Sequence, residues 1–108
     1  MITRITKFKI EKASSKDFEV FMKTIKDEII SIEGCRHFDI LKDKDDENNL
    51  FMFMIWKDDD YLEAFRKSDL NKLVVTKLKD FSTKEPSSWT VETVFDPDQL
   101  SQQKSLFD

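Results

Sequence analysis

The chain has 108 residues, 39% of them hydrophobic and 37% charged, with one Gly and two Pro; this composition gives one domain around a single core and excludes disordered, fibrous and collagen-like classes. The formal net charge is −4, with acidic and basic residues interleaved, so there is no continuous positive surface for a phosphate backbone and no nucleic acid is expected as a partner. No stretch approaches the ~20 apolar residues of a membrane span, MITRITKFKI has no long apolar run, and the single Cys35 has no internal disulfide partner, so no membrane association and a cytoplasmic location are expected.

Ile2 to Ile10 carries Ile2, Phe8 and Ile10 on one parity, Ile5 on the other, and β-branched Thr3 and Thr6, which predicts a first strand. Arg4 shares the parity of Ile2 and Phe8 and is expected to point inward. Ser14 or Ser15 then caps a helix in which Phe18, Phe21, Met22, Ile25, Ile29 and Ile32 recur at spacings of three and four. Gly34, the only glycine, suits the left-handed residue after a helix end. Cys35 to Asp43 alternates, with Phe38 and Ile40 opposite His37 and Leu41, and predicts a second strand.

Asp43 to Asn49, DKDDENN, predicts a polar turn. Its carboxylates, Asp43, Asp45, Asp46 and Glu47, lack the Gly and terminal Glu spacing of a calcium loop, and no metal is expected there. Leu50 to Trp56, LFMFMIW, is an unbroken apolar run that predicts a third strand buried on both faces. Asp58, Asp59 and Asp60 suit the N-terminus of a second helix running to Lys67. Ser68 or Asp69 caps a third, whose apolar face is Leu70, Leu73, Val74, Leu78 and Phe81. Glu85-Pro86-Ser87-Ser88 breaks that pattern, and Trp89, Val91 and Phe95 alternate with Thr90, Glu92 and Val94 in a last strand. The ten Phe either fill the core or line an aromatic cavity.

Strand, helix, strand, strand, a helix broken in two, and strand make an α+β, ferredoxin-like βαββαβ sandwich: a four-stranded antiparallel sheet with helices on one face. With strand three apolar on both parities, the uncovered face would expose too much apolar surface in a monomer, so a homodimer stacked sheet to sheet is expected. The domain spans residues 1–95; the polar tail 96–108 carries Leu100, Leu106 and Phe107, with which it is expected to dock on the partner subunit.

Gly34-Cys35 opening strand two, the apolar strand ending in Trp56, the following DDDYLEAFRKSDL and the late EPSSW together resemble the antibiotic biosynthesis monooxygenase domain, from Ile2 to about Phe95. The resemblance implies a dimeric α/β barrel and a small oxygenase without a conventional cofactor. The implied substrate is a quinol-like or polyphenolic aromatic molecule, held between the sheet and the helices. Trp56 matches the family's Trp at the end of strand three; its alternative role is a core anchor. Many family members carry a His nine residues after that Trp, where this chain has Phe65, and another near the SDL segment, where it has Leu70. The haem-degrading branch also uses an Asn on strand one, which TRITKFKI lacks.

Three residues are therefore candidates for catalysis: Trp56, His37 and Arg4. His37, the only histidine, is of the residue type that could act as a base for a phenolic proton; its alternative is a solvated strand residue. Arg4 would stabilise a substrate oxyanion or else bridge to a strand carboxylate. Tyr61 and Arg66, five apart on one helix, cannot both face one pocket, and Cys35 has no His beside it in a nucleophilic pairing. Two readings stay open: the oxygenase, and a non-catalytic dimeric binding or sensing protein that keeps the fold without the acid–base residues. Convergence of Arg4, His37 and Trp56 on an open cavity would favour the first.

Overall fold

The structure, a computed structural model, describes residues 1–94. Its elements are β1 (Ile2–Lys9), α1 (Ser15–Ile30), β2 (Cys35–Lys42), β3 (Asn49–Trp56), α2 (Asp59–Arg66), α3 (Asp69–Phe81) and β4 (Ser87–Glu92). The four strands form one open antiparallel sheet in the order β2-β3-β1-β4, the expected ferredoxin-like fold with the second helix broken in two. Phe95 and the tail, with its expected docking, lie outside the described residues.

Pairing fixes which side chains share a face, because residues directly opposite in an antiparallel ladder point the same way. Ile2 lies opposite Trp56, Arg4 opposite Met54, Thr6 opposite Met52 and Phe8 opposite Leu50. All of these face the helices, and every one except Arg4 is buried. From the other side, α1 contributes Phe18, Met22, Ile25 and Ile29 to the same core, α2 contributes Leu62 and Phe65, and α3 contributes Val74 and Leu78. The alternate residues of β3, Phe51, Phe53 and Ile55, are only half-buried, since no element among the described residues covers that face. The strand expected to be buried twice over is thus enclosed on one side within a protomer.

Helix starts follow local chemistry. Asp58 accepts from the Tyr61 backbone N–H at 3.3 Å and Ser68 from that of Asn71 at 3.1 Å, both from extended backbone. At α1 the expected serine cap is not made. A 3-10 turn over Lys12–Ser14 runs directly into the helix and leaves Ser14 in helical conformation with no side-chain cap bond. Gly34 takes φ +88°, and a Cβ there would overlap the Tyr61 ring. That glycine turns the chain into β2 and seats α2 against the turn.

Candidate active site

Two cavities open between the sheet and the helix layer. The larger, about 430 Å³, lies between α1 and the β2 side of the sheet and is lined by Lys23, Lys26 and Lys42 together with Glu19 and Glu47; Asp39 borders it from a strand position whose carboxylate turns to the open face, toward His37. The smaller, about 210 Å³, lies between β1 and β3 on one side and α2 and α3 on the other. Met52, Met54, Leu62 and Phe65 make its apolar wall, and Arg4, Arg66 and Lys79 face a single carboxylate, Glu85. Lys79 and Glu85 pair with each other at 3.5 Å and Arg66 pairs with Glu63 at 3.0 Å, which leaves the Arg4 guanidinium without a carboxylate partner among the described residues. In a chain of net charge −4 this is an unpaired cation beside an apolar wall. That makes the smaller cavity the chemically distinctive one.

Arg4 reaches this cavity from the middle of the sheet. Its Nη1 donates to Thr90 Oγ1 on β4 at 2.7 Å, and among the described residues it has no ion pair with a carboxylate. Burial pushes the guanidinium below its ordinary pKa, the Arg66 charge adds to this, and Glu63 opposes it; an arginine stays protonated through such shifts. Beside it, Thr6 is buried and its hydroxyl bonds Ser88 Oγ at 2.9 Å. Arg66, in the last turn of α2, donates to Glu63 Oε1 at 3.0 Å. Asn71, from the first turn of α3, donates to the Arg66 carbonyl at 3.1 Å.

Trp56 lies behind the cavity rather than in it. Its ring is fully buried and stacks on Phe65 with centroids 5.1 Å apart, and Phe65 in turn lines the space. The indole Nε1–H has no acceptor among the described residues, a desolvated donor that costs about 1–3 kcal/mol. The phenyl ring of Phe65 thus fills the position at which the resemblance led one to look for an imidazole.

His37 lies on the other side of the sheet. It pairs with Ile55, whose parity points away from the helices, meets the Phe53 ring edge-on at 5.8 Å, and stands 3.8 Å from the Asp39 carboxylate. The expected convergence of Arg4, His37 and Trp56 within one protomer does not occur: Arg4 is in the cavity, Trp56 one layer behind it, and His37 beyond the sheet. Strand parity is the reason, since His37 and the inward Phe38 are consecutive. Cys35 packs at the edge of the core and its Sγ donates to the His37 carbonyl at 3.7 Å, and burial pushes its thiol up, away from thiolate.

Sequence reasoning missed Arg66, Thr6, Asn71 and Ser88. Arg66 had a signal: it follows Phe65 on the helix that faces β3. Thr6 shared the inward parity of Arg4. For Asn71 and Ser88 nothing local distinguishes a cavity wall from an ordinary surface. Tyr61, by contrast, packs over Gly34 and places its hydroxyl 3.5 Å from Glu33, while Arg66 lines the cavity, in keeping with their angular separation on the helix.

The sequence model of the antibiotic biosynthesis monooxygenase family matches residues 1–77. The chain belongs to that family. No curated protein matches it. Among solved structures, a conserved protein from Methanosarcina mazei is 22% identical with a TM-score of 0.80, over 85% of this chain and 91% of that one. Rv0793 from Mycobacterium tuberculosis is 14% identical with a TM-score of 0.79, over 89% and 97%. SnoaB from Streptomyces nogalater, a cofactor-independent oxygenase, is 18% identical with a TM-score of 0.73, over 89% and 95%. At these identities the structural likeness is one of fold. Among the described residues, no helix is long and apolar enough to cross a membrane and no cluster of three or more His, Cys, Asp or Glu is arranged to hold a metal ion.

Proposed function

We propose that this member of the family is a cofactor-independent monooxygenase acting on a small quinol-like or polyphenolic aromatic molecule, as a cytoplasmic homodimer stacked sheet to sheet. The observation that carries the reading is the Arg4 guanidinium set in a mostly apolar cavity between sheet and helices. Such a charge favours a phenolate or enolate over its neutral form, and more strongly there than in water. It therefore brings deprotonation into reach of solvent without a strong base. The electron-rich anion then gives one electron to O2; the substrate radical and superoxide combine to form a C–O bond, and the hydroperoxide loses water. In balance, a CH2 carbon becomes a carbonyl, one oxygen atom stays in the product and the other leaves as water. SnoaB, a cofactor-independent oxygenase of the same fold, supports this chemistry by analogy.

The dimer rests on the uncovered face of the sheet, where Ile5, Phe51, Phe53, Ile55, Trp89 and Val91 form one apolar surface. Burying several hundred Å² of it would contribute on the order of 10 kcal/mol before the entropic costs of association. In that arrangement His37 belongs to the interface, and Arg4 and Trp56 to the cavity side.

One observation favours the alternative of a dimeric binding or sensing protein: the cavity holds no imidazole, and its one carboxylate is paired with Lys79. Oxygen uptake by the metal-free protein on a panel of quinols and anthrone-like phenols separates the two. Uptake well above the spontaneous rate, reduced at least about tenfold by Arg4→Gln, is the oxygenase result. Tight binding of the same compounds without uptake is the binding-protein result. Loss of uptake in His37→Ala with retention in Arg4→Gln would move the chemistry to the sheet interface.

A further inference from the structure

The cavity assigned above is lined by two guanidiniums, one more than an oxyanion-stabilising role for Arg4 requires. Arg4 and Arg66 come from different elements, the central strand and the last turn of α2, and line the same space. Arg4 is bonded to a neutral hydroxyl and Arg66 to Glu63, which does not itself line the cavity. The Lys79–Glu85 pair at the same cavity is self-neutralised. Each guanidinium has five N–H donors in a planar fork, so most of their donors are uncommitted to the bonds just named. The larger cavity differs in kind: its cations are the lysines Lys23, Lys26 and Lys42, which have no planar fork to offer a carboxylate. Guanidinium donors are thus particular to the smaller cavity.

We propose that the substrate carries a carboxylate that bridges Arg4 and Arg66, so that the molecules this site selects are small phenolic carboxylic acids with the ring against Met54, Leu62 and Phe65. This rests on the assignment of the site above. It adds a specificity determinant, Arg66, that stands apart from the oxidation. Carboxylate and guanidinium match in geometry as well as charge, and the fork is better satisfied by two oxygens than by one phenolate. Glu63 competes with the ligand for Arg66, and Asn71 holds the backbone carbonyl of Arg66 and with it the end of α2.

The test is binding, read by isothermal titration calorimetry under anaerobic conditions with the full chain, using 2,5-dihydroxybenzoate and its uncharged methyl ester as probes. The acid is expected to bind on the order of tenfold more tightly than the ester, the scale of one charge-assisted hydrogen-bonded contact. Arg66→Gln should collapse that ratio toward one while leaving ester affinity in place, and Glu63→Gln, by freeing the guanidinium, should increase it. Arg66→Lys should keep part of the preference, as a charge without the fork. Equal affinity for acid and ester, no binding of the acid, or an unchanged ratio in both Arg66→Gln and Glu63→Gln would overturn the inference. Its failure is separable from that of the oxygenase reading. Acid preference without oxygen uptake refutes only the oxidation, whereas uptake on neutral quinols without acid preference refutes only the carboxylate.

Discussion

Trp56 and Trp89 lie on opposite faces of one sheet, the first with 0% of its surface exposed and the second with 50%. The two faces differ in kind as well as in burial. Toward the helices β3 presents Leu50, Met52, Met54 and Trp56; away from them it presents Phe51, Phe53 and Ile55. Methionine is flexible and adapts to an irregular neighbour, and the helix-side face has an irregular neighbour, a layer of three helices with cavities between it and the sheet. The open face combines rings and β-branched side chains with few rotatable bonds, which suits a broad flat contact. One strand thus presents an adaptable face to the helix-side cavity and a stiff, ring-rich face to the open side, through nothing more than the alternation of its residues.

The comparison breaks most visibly at Trp56. Trp56→Ala should cost about 3–5 kcal/mol in urea unfolding, the usual range for emptying the site of a large buried ring. Trp56→Phe should cost roughly 1 kcal/mol, because it keeps a ring against Phe65 and discards an indole N–H that has no acceptor among the described residues. A cost below 1 kcal/mol for the alanine variant would show that the ring does not anchor the helix layer. On the open face the same kind of change should act on association instead. If the proposed sheet-to-sheet dimer forms, Phe53→Asp is expected to weaken it by more than tenfold, by placing like charges near its two-fold contact, while far-UV circular dichroism of the protomer is unchanged. Sedimentation velocity across a dilution series reads this, and an unaltered distribution of species would place the interface elsewhere.

The fold was legible because its evidence is periodic. The stripe in α1, the alternation in β2 and the seven-residue apolar run of β3 each repeat their signal several times, and the DDD and SD starts mark α2 and α3 with a physical cause, side-chain caps that the structure retains at Asp58 and Ser68. The site was less legible because it depends on parity and register between distant segments. The inward direction of Arg4 could be read from β1 alone, but Thr90, its hydroxyl partner, lies 86 residues away. The same parity argument put His37 opposite Phe38, and it was the attraction of a lone imidazole, not the pattern, that brought His37 into the candidate set. Arg66 was missed for a related reason. A charged residue in the last turn of an exposed helix is usually explained by the helix dipole, and only the placement of α2 over β1 and β3 turns it toward the cavity.

The smallest expected effect concerns the turn that helps fix which residues of β3 face which way. Slippage by one position would send Met52 and Met54 to the open side and Phe51 and Phe53 into the cavity. Between β2 and β3, Asp43 accepts from the Asp45 N–H at 2.8 Å and from Asn49 Nδ2 at 3.0 Å, and Asp46 accepts from the Asn48 N–H at 3.0 Å. These bonds hold both carboxyls below their ordinary pKa, led by the backbone donor in each case, with Lys9 assisting at Asp46 from 3.2 Å. Because the folded-state values lie below those of the unfolded chain, their stabilisation is present above the unfolded carboxyl value near ~4, and is lost as pH falls below it through the folded values. Asn at both positions keeps an acceptor for the turn and removes the titration, so the double variant Asp43→Asn, Asp46→Asn should be folded at neutral pH and show a shallower loss of urea stability between roughly pH 4 and pH 2. Identical acid profiles for the two proteins would mean that the register is held by the β1–β3 ladder alone, with the hairpin following it.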